Sequence, residues 1–402
     1  MNPVTDPRDV RRAIVVKQGV PAATLRRLPG AVEFAYEGAY LDSGGPAVAT
    51  TLPLTDEPVR TVAGAVPAFF ANLLPEGRRL TALRRAVKTS ADDELSLLLA
   101  IGSDPVGDVQ VLAEGIEPEH GTGEEPVVDH FDELDFSVLL SSYGIGDPSA
   151  LAGVHEKVSG RMLTVPLVHG GGAHLLKFQV PEFPHVVANE AYFLSVARRL
   201  RHPVVQAKVV HDRQGRPGLL VTRFDRVTDA DGQLQRLPVE DGAQLLGLYP
   251  ADKYAVTSED LARRVGQVCA ARPVALRAVF QQLVFAWLTG NGDLHAKNVS
   301  VVGTQGEWRV APIYDVPSTV PYADTTAALP LAGRRENLTR RAFLGFAADI
   351  GLPHAAAELT LAEALAATEP VIEQVQDGVI PFDHRRIQDL VRTLRRRRRD
   401  LH

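Results

Sequence analysis

Between Pro273 and Gly290, Phe280, Leu283, Val284, Trp287 and Leu288 fall at i, i+3, i+4, i+7 and i+8. That spacing is the stripe of a core-facing helix, and Gly290 is placed to stop it. The next apolar run, Val299 to Val302, is short and β-branched. A Gly-containing turn follows at Gly303 to Gly306, and Trp308-Arg-Val-Ala311 reads as the hairpin partner. The pattern therefore predicts helix, polar loop and hairpin in that order.

Upstream, Arg12 to Val16 and Ala31 to Tyr36 read as strands. Phe69, Phe70, Leu73 and Leu74 share a helical face ended by Pro75, and Asp92 to Ile101 predicts a helix presenting Leu95, Leu98 and Leu99. From Glu114 to Glu133 the chain is acidic and contains Gly and Pro, the composition of a linker. Beyond it, Met162 to Val168 and Ala173 to Val180 predict two strands around His169-Gly-Gly-Gly172. Asn189 to Leu200 predicts a helix, and Val204 to Val210 and Gly218 to Phe224 predict two more strands. Strand, strand, helix, strand, strand is the order of a kinase-like N-lobe, and helices dominate from Leu237 onward. The expected architecture is α+β: a two-lobed protein-kinase-like fold. It has an N-terminal accessory α/β subdomain (1–112), an acidic linker (113–135), an N-lobe (136–230) and a largely helical C-lobe (231–402).

Length and composition narrow the class. The 402 residues are 45% hydrophobic and 23% charged, which argues against a disordered or fibrous chain. The net charge of -6 gives no overall pull toward nucleic acid or membrane. Cys269 is the single cysteine, which excludes an intrachain disulfide framework and reads best as a small buried hydrophobe. Met1 to Arg12 lacks an apolar core for a signal peptide, and no apolar run approaches the roughly 20 residues of a bilayer span. The expectation is a cytoplasmic protein with no membrane partner.

The chemistry concentrates in Asp293-Leu-His-Ala-Lys-Asn298 and Ile313-Tyr-Asp315. An Asp followed five residues later by Asn is the catalytic-loop spacing of protein kinases, where the Asp accepts the proton of the attacking hydroxyl and the Asn holds Mg²⁺. Mg²⁺ takes oxygen ligands, usually one or two carboxylates plus nucleotide phosphates. Asn298 and Asp315 supply those ligand types. Asp, His and Asn also cluster in turns for purely local reasons. What distinguishes this loop is its place, after the apolar helix and before the hairpin that delivers Tyr314 and Asp315.

Lys177 lies among apolar residues in His174-Leu-Leu-Lys-Phe178, and Glu190 starts the next predicted helix. The two can pair as a strand lysine and helix glutamate do in kinases. Equally, they can be a solvated edge lysine and a glutamate favoured by a helix dipole. Gly170-Gly-Gly172 reads as a flexible hairpin turn rather than a phosphate loop. Ala152-Gly-Val-His-Glu-Lys157, which combines Gly with Lys ahead of the first N-lobe strand, is the better phosphate-loop candidate. Arg395 to Arg399 reads as a frayed basic tail, with nucleic-acid binding as the alternative.

Together these segments resemble the HipA family of toxin kinases from type II toxin–antitoxin systems. Val66-Pro-Ala-Phe-Phe-Ala-Asn-Leu-Leu-Pro-Glu-Gly77 is similar to the family's N-terminal signature. Ala152 to Lys157 resembles its A-G-x-Q-E-K phosphate loop, with His155 for Gln. Thr222-Arg-Phe-Asp-Arg226 resembles its E-R-F-D-R hinge, with Thr222 for Glu. Lys253-Tyr254 is similar to its K-Y pair. The resemblance implies a serine/threonine protein kinase using ATP and Mg²⁺. Asp293 would be the general base, Asn298 and Asp315 the metal ligands and Lys177 the phosphate lysine. Ala152, Gly153, Val154, His155, Glu156 and Lys157 would wrap the phosphates, which His295 and Lys297 would steady. Thr222, Arg223 and Phe224 would line the adenine pocket, with Gln244 and Tyr314 also at the nucleotide. The implied acceptor is an aminoacyl-tRNA synthetase, whose phosphorylation halts translation. The implied partner is a small helix-turn-helix antitoxin (HipB-like) that brings the complex to operator DNA. A weakly catalytic co-repressor and a small-molecule or lipid kinase are the alternatives. Where the family commonly carries an autophosphorylated serine this chain has Ala150, with Ser149 one residue earlier. Weak or absent autophosphorylation at Ser149 is the expectation.

Overall fold

The computed structural model describes residues 6–101, 104–118, 125–143, 162–229 and 233–402. The N-terminal unit is an antiparallel sheet built from β1 (Arg12–Lys17), β2 (Val20–Leu28), β3 (Ala31–Tyr36), β4 (Val59–Val62) and β5 (Val109–Ala113), in the order β4-β3-β2-β1-β5. A two-residue turn joins β1 to β2, with Gln18 and Gly19 both at positive φ. Such turns match the twist of the strands they join. Val15, Leu25, Phe34, Phe69, Phe70 and Leu98 form this unit's core. The predicted Phe69–Leu74 helix is one turn, Ala68–Ala71, yet Phe69, Phe70 and Leu74 are buried as their spacing requires. An unpredicted helix, Gly77–Val87, follows Pro75.

The second sheet contains β6 (Met162–His169), β7 (Gly172–Gln179), β8 (Ala207–His211) and β9 (Pro217–Thr222), all antiparallel, ordered β6-β7-β9-β8. Gly170 and Gly171, both at positive φ, make the tight turn between β6 and β7. The helix Val186–Ala197 packs on this sheet and starts three residues earlier than Asn189. Glu190 is therefore more than a turn from the helix start, where the dipole has little hold on it.

The acidic segment departs from its expected character in the second half. Val127 makes a parallel bridge to Val168, and Phe131 is buried against the second sheet. Residues 125–135 pack onto the N-lobe rather than span solvent.

A small hairpin, β10 (Arg226–Thr228) with β11 (Leu234–Arg236), leads into the C-lobe. There β12 (Val239–Asp241), β13 (Ser300–Thr304) and β14 (Glu307–Val310) form a three-stranded sheet. Helices make up the rest. Arg272–Thr289 runs through the centre with Phe280, Val284 and Phe285 almost fully buried. Gly290 ends it at φ +73, in the left-handed region that glycine adopts at least cost. The chain closes in the helix His384–Leu401, which corrects the expectation of a frayed tail at Arg395 to Arg399. Arg397 is 1% exposed, donates to the Trp287 carbonyl at 2.9 Å and lies 3.7 Å from the Trp287 ring centre. No helix among the described residues is long and apolar enough to cross a membrane.

Candidate active site

A cleft of 400 Å³ opens between the second sheet, the C-lobe and the Asn72–Glu76 segment of the N-terminal unit. Met162, Leu175, Val205, Val221 and Phe224 give it an apolar end, and Lys177, Asp293, Lys297 and Asp315 a charged end. That volume and mixture suit a ligand with one flat apolar part and one anionic part.

The loop after Gly290 is fixed by its own hydrogen bonds. Asn291 accepts from the Asp293 amide at 2.8 Å, and Asn298 Nδ2 donates to the Asp293 carbonyl at 2.8 Å. Gly292 has no room for a side chain, since a Cβ there would lie 2.5 Å from the Thr326 carbonyl. Asp293, 6% exposed, faces the cleft. Tyr254 donates its hydroxyl hydrogen to Asp293 Oδ1 at 2.8 Å.

Across the cleft, Lys177 Nζ lies 2.7 Å from Glu190 Oε1 and 3.0 Å from Asp315 Oδ1. The pairing of Lys177 with Glu190 is thus a buried ion pair rather than two solvated charges. Burial alone would lower the lysine's pKa, but the two carboxylates outweigh it and raise it. Burial raises the Glu190 pKa, with Lys177 opposing the rise and Asp315 adding to it. Asp315 has φ +55, a left-handed conformation that costs a non-glycine residue energy. It follows Ile313, which bridges Val204 of the N-lobe.

The remaining predicted residues fall into distinct settings. Phe224 and Tyr314 stack with ring centres 5.9 Å apart along the cleft. The Tyr314 hydroxyl donates to the Lys297 carbonyl at 2.7 Å, and burial raises its pKa. Thr222 lies on β9 with its amide bonded to the Gln206 carbonyl. The Arg223 guanidinium is turned into a buried ion cluster with Asp104 and Asp225, so its charge is already spent. Gln244 lines the cleft, but its side chain is committed: Oε1 closes a capping box with Asp241, and Nε2 donates to the Phe69 carbonyl at 3.1 Å. His295 is buried; burial first, and Lys253 next, push it down to about 3, so its ring is neutral. Lys297 Nζ donates to Asn72 O and Oδ1, both at 2.9 Å. Ala152, Gly153, Val154, His155, Glu156 and Lys157 lie outside the described residues, as do Ser149 and Ala150.

The oxygen donors fit a hard cation. Asn298 Nδ2 is held by the Asp293 carbonyl, which leaves its amide oxygen uncommitted among the described residues. Asp315 presents a carboxylate that is 33% exposed. No group of three or more His, Cys, Asp or Glu side chains among the described residues could hold a metal alone. Mg²⁺, which retains waters and shares phosphate oxygens, does not need such a cage.

Sequence reasoning passed over Tyr254 as a partner of Asp293, and Asn72 and Glu76 as cleft residues. The signal lay in Val66–Gly77 itself, where two polar residues interrupt an apolar run.

Comparison with known proteins bears on both halves of the chain. Residues 13–112 match the HipA N-terminal domain, and residues 149–372 match the HipA-like C-terminal domain. Two Sinorhizobium fredii proteins, "Putative kinase Y4mE" and "Putative kinase Y4dM", are similar to the chain. Y4mE is 30% identical over 81% of this chain and 82% of its own length. Y4dM is 30% identical over 90% of this chain and 88% of its own. The serine/threonine-protein kinase toxin HipA of Shewanella oneidensis is 27% identical over 74% of this chain and 72% of its own length. The solved complex of Shewanella oneidensis HipA with HipB and operator DNA matches with a TM-score of 0.76 at 20% identity, covering 97% of each chain. That likeness establishes the same two-lobed kinase-like fold. With a family model spanning more than half of its residues, the chain belongs to the HipA family.

Proposed function

We propose that this protein is the kinase toxin of a toxin–antitoxin module, transferring the ATP γ-phosphate to a serine or threonine hydroxyl of a protein. The observation that carries this reading is the meeting of Lys177, Asp293, Asn298 and Asp315 in one cleft, with Lys177 joined to both Glu190 and Asp315. In this reading the adenine lies at the apolar end, beside Phe224 and Tyr314. Lys177 holds phosphate oxygens, and Glu190 fixes where the lysine points. Asn298 and Asp315 would hold Mg²⁺, which neutralises charge on the phosphates. Asp293 takes the proton of the attacking hydroxyl as the new P–O bond forms and ADP leaves with the old bonding pair. The Tyr254 hydroxyl keeps one Asp293 oxygen occupied and so orients the other. His295, being neutral, contributes hydrogen bonding rather than charge.

The Shewanella oneidensis relative was solved with HipB and operator DNA. By analogy we assign this chain a small helix-turn-helix antitoxin partner, with DNA reached through that partner. The acceptor we assign is a translation protein, an aminoacyl-tRNA synthetase first. The test is incubation of the purified chain with γ-labelled ATP, Mg²⁺ and a bacterial extract. Label is expected on serine or threonine of a protein band, and absent with Asp293→Ala. Label in a small molecule or lipid instead would replace the proposed acceptor class.

A further inference from the structure

The segment Val66–Glu76 belongs to the N-terminal unit, yet it is stitched to the C-lobe along its length. Tyr249 donates its hydroxyl hydrogen to the Val66 carbonyl at 3.0 Å, Gln244 Nε2 donates to the Phe69 carbonyl, and Asn72 Nδ2 donates to the Leu248 carbonyl at 2.7 Å. The last two anchors are lysines of the C-lobe. Lys253 pairs with Glu76, and Lys297 is held at 2.9 Å by both oxygens of Asn72. Glu76 Oε1 and Asp241 Oδ2 lie 3.5 and 3.3 Å from the same Lys297 nitrogen.

A lysine has a long, flexible stem and a rotatable ammonium head, so its position is set by what accepts its hydrogens. Lys297 stands four residues after Asp293 in the same loop, at the charged end of the cleft. Its directed hydrogen bonds at 2.9 Å both come from a residue 225 positions away in sequence. We infer that Asn72 of the N-terminal unit is a positioning residue for the phosphate site, acting by fixing the Lys297 ammonium. The N-terminal unit is then a working part of the active site and not only a neighbour of it. This rests on the kinase reading above, in which Lys297 meets nucleotide phosphates.

Asn72 has two separable jobs. Its Nδ2 donates to the Ala68 and Leu248 carbonyls, which is structural, and its Oδ1 accepts from Lys297. Asn72→Ala removes both, whereas Asn72→Asp removes the donors and keeps the oxygen. The experiment is equilibrium titration of Mg²⁺–ATP and of adenosine against the full chain carrying each variant, and against Lys297→Met with and without Asn72→Ala. Asn72→Ala is expected to weaken ATP by about tenfold or more, in line with one lost hydrogen bond to a charged group, and to leave adenosine unchanged. Asn72→Asp, which keeps an acceptor for Lys297, should recover part of the ATP affinity that Asn72→Ala loses. In the Lys297→Met background Asn72→Ala should have no further effect, since residues acting through one contact are not additive. Equal weakening of ATP and adenosine, failure of Asn72→Asp to rescue, or additive losses with Lys297→Met would overturn the inference. Failure of the unaltered chain to bind ATP would instead overturn the kinase reading itself.

Discussion

Single side chains in the cleft are set by burial and by one or two directed contacts. His295 is the clearest case for a pH measurement. Burial, with Lys253 nearby, holds its folded pKa down at about 3, while an unfolded histidine titrates near 6.5. Between those values only the unfolded chain gains the proton, so stability is lost as pH falls below about 6.5. The melting temperature should therefore drop between about pH 7 and pH 5, and His295→Gln should flatten part of that slope. An identical slope in the variant would show that the ring titrates normally in the fold. The Lys177–Glu190 pair was legible only as one of two alternatives, because a lysine in an apolar strand needs either a negative partner or solvent, and the fold supplies the partner. The Lys297–Asn72 contact was not, because no local rule links residues 225 positions apart.

Elements with a strong period were the readable ones. The Arg272–Thr289 helix and the β6–β7 hairpin follow directly from apolar spacing and from the glycines that end or turn them. β2 was missed because Val20–Leu28 opens with Val-Pro-Ala-Ala, which carries little strand propensity. Its central place between β1 and β3 overrides that preference. The arginine run was misread for a related reason. Its charge suggested solvent, but it continues an 18-residue helix whose Leu390, Val391, Leu394 and Leu401 are buried. Arg397 falls on that buried face and caps the Trp287 carbonyl. Arg397→Ala should cost about 3 kcal/mol in chemical denaturation, from lost packing and lost hydrogen bonds to the Trp287 and Thr325 carbonyls. The exposed neighbour Arg396→Ala should stay within about 0.5 kcal/mol. Equal effects would mean that the helix does not pack as described.

At the scale of the whole molecule, the N-terminal unit and the Arg223–Arg226 segment meet in buried polar contacts beside the cleft. Asp225 joins Arg223 at 2.9 Å, Arg226 at 2.8 Å and the Gly107 amide at 2.9 Å. Burial would raise the Asp225 pKa, but the two guanidinium groups outweigh it and lower it. Asp225→Ala removes one of the two carboxylates that hold buried Arg223 and Arg226, with Asp104 remaining, and should cost about 3 kcal/mol, read as a fall in the denaturation midpoint. No loss of stability would mean that water reaches this junction. What the cleft does is read by Mg²⁺-dependent ATP binding and γ-phosphate transfer, followed side by side in the unaltered chain, Asp293→Ala and Asp315→Ala. A kinase site requires that Asp293→Ala still binds Mg²⁺–ATP but loses transfer by at least about a hundredfold, while Asp315→Ala loses the Mg²⁺ dependence of binding as well as transfer. Near-unaltered transfer by Asp293→Ala would contradict the kinase reading.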